Sequence, residues 1–271
     1  MDYMQHGPTY RPVSFELDQL QVNPDAAKAG KRYLDRDIQD FFSDKMLKAP
    51  TGYDREHARA KTVAKKIGDP DTLIDLHTTD AEGMGITLNV SRWTPQWHAV
   101  LGHMEALHPE VHILYTPEQQ GTSPYLDSLA TNGLTVELGG VGHNTHDSRA
   151  TWKLAVALEL LLKLIDAFKQ GKLAEPSDYS VFKQLREVLY PEPRKDWKVA
   201  DGLKGLDYTP LRAGTQVFRN IKNGKVITYS GAPTYPVFID ETAYDCEEEG
   251  WVAFDLTELT TARKCYATKT R

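Results

Sequence analysis

The chain is poor in cysteine. Cys246 and Cys265 are its only two in 271 residues, too few for a disulfide framework, and no Cys-x-x-Cys is present. This fits a reducing, cytoplasmic setting. Long apolar runs are also missing. The longest, Leu154 to Ile165, is interrupted by Glu159 and Lys163 and is too short to span a bilayer. The first residues, Met1 to Gly7, lack the basic-then-apolar order of a signal peptide. No basic block occurs, and 38 acidic against 32 basic residues give a net charge of −6. Nucleic acid is therefore a poor partner. The expected partner is a small molecule, with no nucleic acid and no membrane, and homo-oligomerisation stays open. There is no G-x-S-x-G elbow, no phosphate-binding loop and no His-Glu-x-x-His.

What is present is an alternation of helices and strands. A helix is expected from about Asp54 to Ile67, stopped by Gly68-Asp69-Pro70, and the strand Leu73–Leu76 follows it. Further strands are read at 86–90, 111–115 and 134–138, with helices at 97–107 and 147–169. Strands alternating with helices point to an α/β sandwich on a mixed or parallel sheet. After Gly171 the pattern changes to short strands, with Asn223-Gly224 as the clearest hairpin turn. The expected division is an α/β domain over 1–171 and a smaller β-rich domain over 172–271.

The chemistry concentrates at two strand ends. In Asp75-Leu76-His77-Thr78-Thr79 an imidazole follows a short apolar strand. His77 is a candidate zinc ligand, since zinc takes neutral imidazole and a neighbouring acceptor orients the ring. The alternative is a loop histidine bonded locally. In Val136-Glu137-Leu138-Gly139-Gly140, Glu137 stands among apolar neighbours. Burial raises a carboxyl pKa and suits it to proton transfer; the alternative is a strand carboxylate that caps the next turn or pairs with Arg149. Arg32, close to Asp35 and Asp37, is either a carboxylate-binding guanidinium or half of a surface ion pair. His98, His103, His108 and His112 lie on or near the helix 97–107 and read as residues of a packed or solvated face. His143 and His146 are weak additional metal-ligand candidates.

Four segments resemble the aspartoacylase family of zinc-dependent N-acyl amino acid deacylases. Arg32-Tyr33-Leu34-Asp35-Arg36-Asp37 is similar to the family's Arg-Tyr-Ile-Asp-x-Asp. Asp75 to Thr79, with Met84-Gly85 after it, is similar to its Asp-Leu-His-Asn-Thr-Thr…Met-Gly. Val136 to Gly139 resembles its catalytic Glu-Val-Gly, and Tyr235-Pro236-Val237-Phe238-Ile239-Asp240-Glu241-Thr242-Ala243-Tyr244 is the most specific match. The resemblance implies a zinc-carboxypeptidase-like mixed-sheet α/β sandwich with a smaller C-terminal β-rich domain. It implies one zinc per chain and the removal of an acyl group from an N-acyl amino acid. It gives His77 as a zinc ligand, Glu137 as general acid/base, Arg32 and Tyr244 as substrate-binding residues, and Asp37 and Glu241 as supporting ones.

The departures from the family pattern carry expectations of their own. The family's Gly-x-His-Gly-x-Glu, which supplies two more zinc ligands, has only a faint echo in His6-Gly7-Pro8-Thr9. Two readings follow: an N-terminally incomplete relative, or a divergent member that binds small molecules or acts as a scaffold without catalysis. With His77 as the one clear ligand, weak or substoichiometric zinc is expected. Asp40 and Asp127 stand where the family has substrate arginines, and Gln39 stands where it has asparagine. Two such reversals of sign favour an aromatic or neutral N-acyl amino acid over N-acetylaspartate.

Overall fold

A computed structural model describes residues 10–52, 54–117, 123–142, 145, 147–241, 245–246 and 250–267. Its framework is an eight-stranded sheet in the order β1-β4-β2-β3-β5-β11-β10, with β9 also pairing β11. The strands are β1 (Thr72–Thr78), β2 (Ile86–Val90), β3 (Val111–Tyr115), β4 (Asn132–Leu138), β5 (Ser180–Leu189), β9 (Tyr235–Val237), β10 (Asp245–Cys246) and β11 (Gly250–Thr261). The pairings β1–β4, β2–β3 and β3–β5 are parallel, while β4–β2 and β5–β11 are antiparallel. A second sheet holds β6 (Trp197–Val199), β7 (Gln216–Asn220) and β8 (Val226–Thr228).

Helices form where the capping residues allow. Asn23 caps α1 (Pro24–Lys28) and Ser43 caps α2 (Asp44–Lys48). The helix α3 (Arg55–Ile67) ends at Gly68, whose φ of 69° suits glycine. Thr94 accepts from Trp97 N at the start of α4 (Pro95–Leu107), with proline at its first position. Asp147 accepts from Arg149 N and Ala150 N at the start of α5 (Ser148–Lys169). A short α6 (Ala262–Ala267) closes the described chain. No helix among the described residues is long and apolar enough to cross a membrane.

Alternation along the strands divides the sheet into two unlike faces. One face carries Ile86, Leu88, Val90, Val111, Ile113, Leu134, Val136 and Leu138, packed against α4 and α5. Each of these large aliphatic side chains contributes about 2 kcal/mol by leaving water. The opposite face has two separate apolar patches. One joins Leu73 to Phe41, Phe42, Ala60 and Val63. The other joins Leu114 to Met84, Tyr208, Val237 and Phe238. Asp75, His77, Thr135, Glu137, Asn89 and Thr87 share that face by strand register.

The strands after Gly171 do more than build a separate β-rich unit. Strands β5 and β11 extend the large sheet, and the apolar cluster of Trp197, Val199, Phe218 and Phe254 sits beyond them. The weak alternation over 181–189 has a physical cause: Val181 and Phe182 pack into clusters on opposite faces of the sheet. Residues 255–261 of β11 were not legible as strand, because Asp255 and Thr257 are polar yet buried, and Glu258, Leu259, Thr260 and Thr261 add no run of apolar side chains.

The β-rich part is keyed to the α/β part through Asp207 and Tyr208. Asp207 accepts from Gly83 N at 3.0 Å and from Ile239 N at 3.1 Å. A Cβ on Gly83 would lie 2.5 Å from Gly205 O, so this close approach requires glycine. Burial pushes the Asp207 carboxyl up to about 6, against the backbone donors that favour its charge. Its pKa in the folded state lies above the unfolded value, so this group adds stability below about pH 4 and loses it as pH rises through 6. The stability of the wild type relative to Asp207→Ala should therefore fall by roughly 2–3 kcal/mol between pH 4 and pH 7. Urea unfolding of both proteins across that range checks the sign.

Candidate active site

The parallel register of β1 and β4 sets His77 directly beside Glu137 at the ends of the two strands. On the other side of Glu137, the antiparallel register with β2 sets Thr87. Paired residues on adjacent strands point to the same face and stand about 4.8 Å apart. His77 and Glu137 therefore open on one cleft, flanked by the two apolar patches.

His77 is held from below. Its Nε2 lies 2.8 Å from Asp75 Oδ2, and Gln39 Nε2 donates to that same carboxylate oxygen at 3.0 Å. With Asp75 ionised, both nitrogens donate to it, and the 3.0 Å approach of Gln39 Nε2 to His77 Nε2 sets two donors side by side. The outer nitrogen of His77, Nδ1, is left for the cleft. Burial opposes a charge on His77, but the Asp75 carboxylate wins and raises the imidazole to about 9. Burial also pushes the Glu137 carboxyl above its usual range; His77 and Arg32 pull it back and Asp75 reinforces the rise. Glu137 accepts no hydrogen bond from any described residue.

Arg32 is brought to the cleft by a loop that a buried carboxylate organises. Glu56 on α3, 1% exposed, accepts from Leu34 N at 2.6 Å and from Asp35 N at 3.1 Å. Arg55 clamps Asp35 with a two-point ion pair. Asp37 then accepts from Arg32 Nε at 2.7 Å, which leaves the outer guanidinium nitrogens available. Glu241 and Glu137 are both close enough to favour the charge on Arg32. Glu241 accepts from the Thr79 hydroxyl and from Asp80 N at 3.1 Å, tying the β-rich part to the end of β1.

Of the residues named from sequence, the structure thus brings together His77, Glu137, Arg32, Asp37 and Glu241. Tyr244, His6, His143 and His146 lie outside the described residues. Asp40 turns to Arg36, with 3.7 Å between the charged groups. Asp127 is buried in a 3-10 turn, Leu126–Leu129, that crosses Gly133. Neither aspartate stands as an open charge in the cleft. The suggested pairing of Glu137 with Arg149 is not formed: Arg149 is in the first turn of α5, which packs on the opposite face of the sheet. His98 packs between Tyr179 and Tyr266, and His103 Nδ1 bonds Ala99 O, so both serve the helix and its neighbours.

Sequence reasoning missed Glu56 and Thr87, and missed the contacts of Gln39 with Asp75 and His77. Glu56 carried no local signal, because its partners are backbone donors some twenty residues earlier. Thr87 was visible only as an inward position of β2. Its hydroxyl donates to Met84 O and lies 2.9 Å from Tyr208 OH, so the β-rich part reaches the row that holds Glu137.

The zinc implied by the family resemblance is not matched by these side chains alone. A structural or catalytic zinc takes at least three protein ligands. His77 would contribute one, and among the described residues no three His, Cys, Asp or Glu side chains converge to hold a metal.

A mixed sheet that sets a carboxylate and an imidazole at adjacent strand ends, with an arginine nearby, can move a proton and hold an anion in one cleft. Residues 8–165 match the succinylglutamate desuccinylase/aspartoacylase catalytic domain, and residues 177–250 match the barrel-sandwich hybrid domain of the same proteins. The chain belongs to this family. It is 29% identical over 262 residues to the human N-acyl-aromatic-L-amino acid amidohydrolase (carboxylate-forming), covering 91% of this chain and 80% of that protein. It is 28% identical over 242 residues to a protein of Trichodesmium erythraeum (strain IMS101) named "Probable aspartoacylase", covering 85% and 82%. The crystal structure of murine aminoacylase 3 superposes with a TM-score of 0.82 at 25% identity, covering 96% of this chain and 89% of that one.

Proposed function

We propose that this chain is an amidohydrolase that removes the acyl group from N-acyl amino acids. The observation that carries the reading is the register pairing of His77 with Glu137 at one mouth of the sheet, with Arg32 beside them. The outer nitrogens of Arg32 hold the substrate's α-carboxylate, a geometry that guanidinium suits by presenting two donors in one plane. Tyr244, in the same 235–244 motif as Glu241, is the further substrate-binding residue that the family resemblance implies. Glu137 takes a proton from water as the water oxygen adds to the acyl carbon. The C–N bond then breaks, and Glu137 returns that proton to the departing amine nitrogen. The products are a carboxylic acid and a free amino acid. Asp37 and Glu241 hold Arg32 and the end of β1 in place.

The electrostatics around Arg32 favour a neutral or aromatic amino acid over aspartate. Asp37 already occupies one side of Arg32, and Glu241 and Glu137 face it. A second carboxylate on the substrate would enter a cleft in which Arg32 is already paired with Asp37 and His77 with Asp75, and in which Glu137 and Glu241 add further negative charge. Hydrolysis of N-acetyltyrosine should run at least tenfold faster than hydrolysis of N-acetylaspartate at equal concentration, about 1.4 kcal/mol of discrimination. The ratio of kcat/KM values measures it, and a preference for N-acetylaspartate would contradict the reading.

A further inference from the structure

The floor of the cleft, one row below His77 and Glu137, is polar. The register runs Asp75, Thr135, Asn89 across β1, β4 and β2. Thr135 has the same strand parity as Glu137, and its neighbours Leu134 and Val136 point into the opposite apolar core. Thr135 and Asn89 are both half-buried, so their polar atoms are reached from the cleft. Asn89 and Thr135 are direct antiparallel partners, with side chains about 5 Å apart.

The hydrogen-bonding capacity of this pair is unspent. Thr116 donates to Asn89 Oδ1 at 2.9 Å, which fixes the amide and leaves its Nδ2 donors turned away from that bond. Neither Asn89 Nδ2 nor the Thr135 hydroxyl bonds to any described residue. An apolar ligand group pressed onto this floor would strip water from a donor pair and an alcohol without replacing the lost bonds, which costs affinity. A carboxylate would lie between Asp75 and Glu137 and meet like charge on two sides. A neutral group that both accepts and donates fits: its oxygen takes the Asn89 amide hydrogens and its own hydrogen goes to the Thr135 oxygen.

We infer that Asn89 and Thr135 are specificity-determining residues that select a substrate carrying a neutral hydroxyl or carboxamide group on the part that reaches the sheet floor. This rests on the deacylase reading of the cleft and narrows it. The group could stand on the amino acid's side chain or on the acyl chain, and the two sources are separable. Calorimetric titration of the full chain carrying Glu137→Gln, which slows turnover, with N-acetylglutamine, N-glycoloylleucine and N-acetylleucine compares them. One of the two polar ligands should bind about tenfold tighter than N-acetylleucine: N-acetylglutamine if the side chain reaches the floor, N-glycoloylleucine if the acyl chain does. Asn89→Leu and, independently, the isosteric Thr135→Val should each remove most of that advantage while leaving N-acetylleucine binding unchanged or tighter. Equal affinity for all three ligands would overturn the inference and leave the deacylase reading standing. An advantage that survives both substitutions would also overturn it. Failure to bind any of the three would count against the deacylase reading itself.

Discussion

Replacing Glu137 with Gln should lower turnover of N-acyl amino acids by about 10²–10⁴-fold, the range supplied by a positioned general acid/base. The change is nearly isosteric and leaves the His77 partnership across β1 and β4 intact, because that is set by backbone register. Glutamine cannot carry the water proton to the amine, so kcat falls. KM should change little, since the substrate carboxylate is held by Arg32. The fold should not suffer. Burial already penalises the Glu137 charge, so a neutral amide at that position should keep or slightly raise the unfolding midpoint. Steady-state kinetics with thermal unfolding of the same preparation checks both parts. A loss of activity accompanied by unfolding would assign Glu137 a structural role instead.

Removing the guanidinium should produce the second largest effect, with the opposite kinetic signature. Arg32→Ala should raise KM by about 10–100-fold, the cost of one charge-assisted, two-point contact, and change kcat less. Arg32→Lys should recover only part of this, because an ammonium cannot keep Asp37 and grip a carboxylate with two coplanar donors at once. The stability cost should be small. The Arg32–Asp37 pair is 41% and 24% exposed at its two side chains, and pairs of that kind contribute little. Amino acid esters or amides lacking the free carboxylate should be poor substrates for the wild type and insensitive to the substitution. A fall in kcat with unchanged KM would remove Arg32 from carboxylate binding.

The sequence exposed the strand ends more readily than the contacts between them. His77 and Glu137 each follow a short apolar run, and that position alone marks them. Their adjacency needed the register of β1 against β4, which no local pattern encodes. The helices α3, α4 and α5 were legible because apolar periodicity and terminators such as Gly68 and Gly171 coincide. The short turns at Ile38–Phe41 and Asp44–Lys48 were not, because neither is long enough to show a period. Strand β6 was hidden by its three-residue length.

The charge expectation at Asp40 and Asp127 shows a different limit. Sequence position supplied the identities, and the sign of the change was clear. Where those carboxylates point depended on Arg36 and on the path of the chain over Gly133. The proposed disfavouring of a dianionic substrate therefore rests on Glu241, Glu137 and Asp37 around Arg32. Gln39 was visible only as a replaced asparagine. Its reach from a capped turn to Asp75 and His77, with Leu126 N donating to its other end at 3.0 Å, depends on folding that brings three separate segments together.

Hydrolysis in water enriched in heavy oxygen is the most direct test that this cleft cleaves an acyl–nitrogen bond with a Glu137-activated water. The purified 271-residue chain would be incubated with N-acetyltyrosine, and the products analysed by mass spectrometry. Free tyrosine should appear without label, acetate should carry one heavy oxygen, and the Glu137→Gln chain should release neither above background. Tyrosine release that is equal in the wild type and the Glu137→Gln chain, or no release by the wild type, would contradict it.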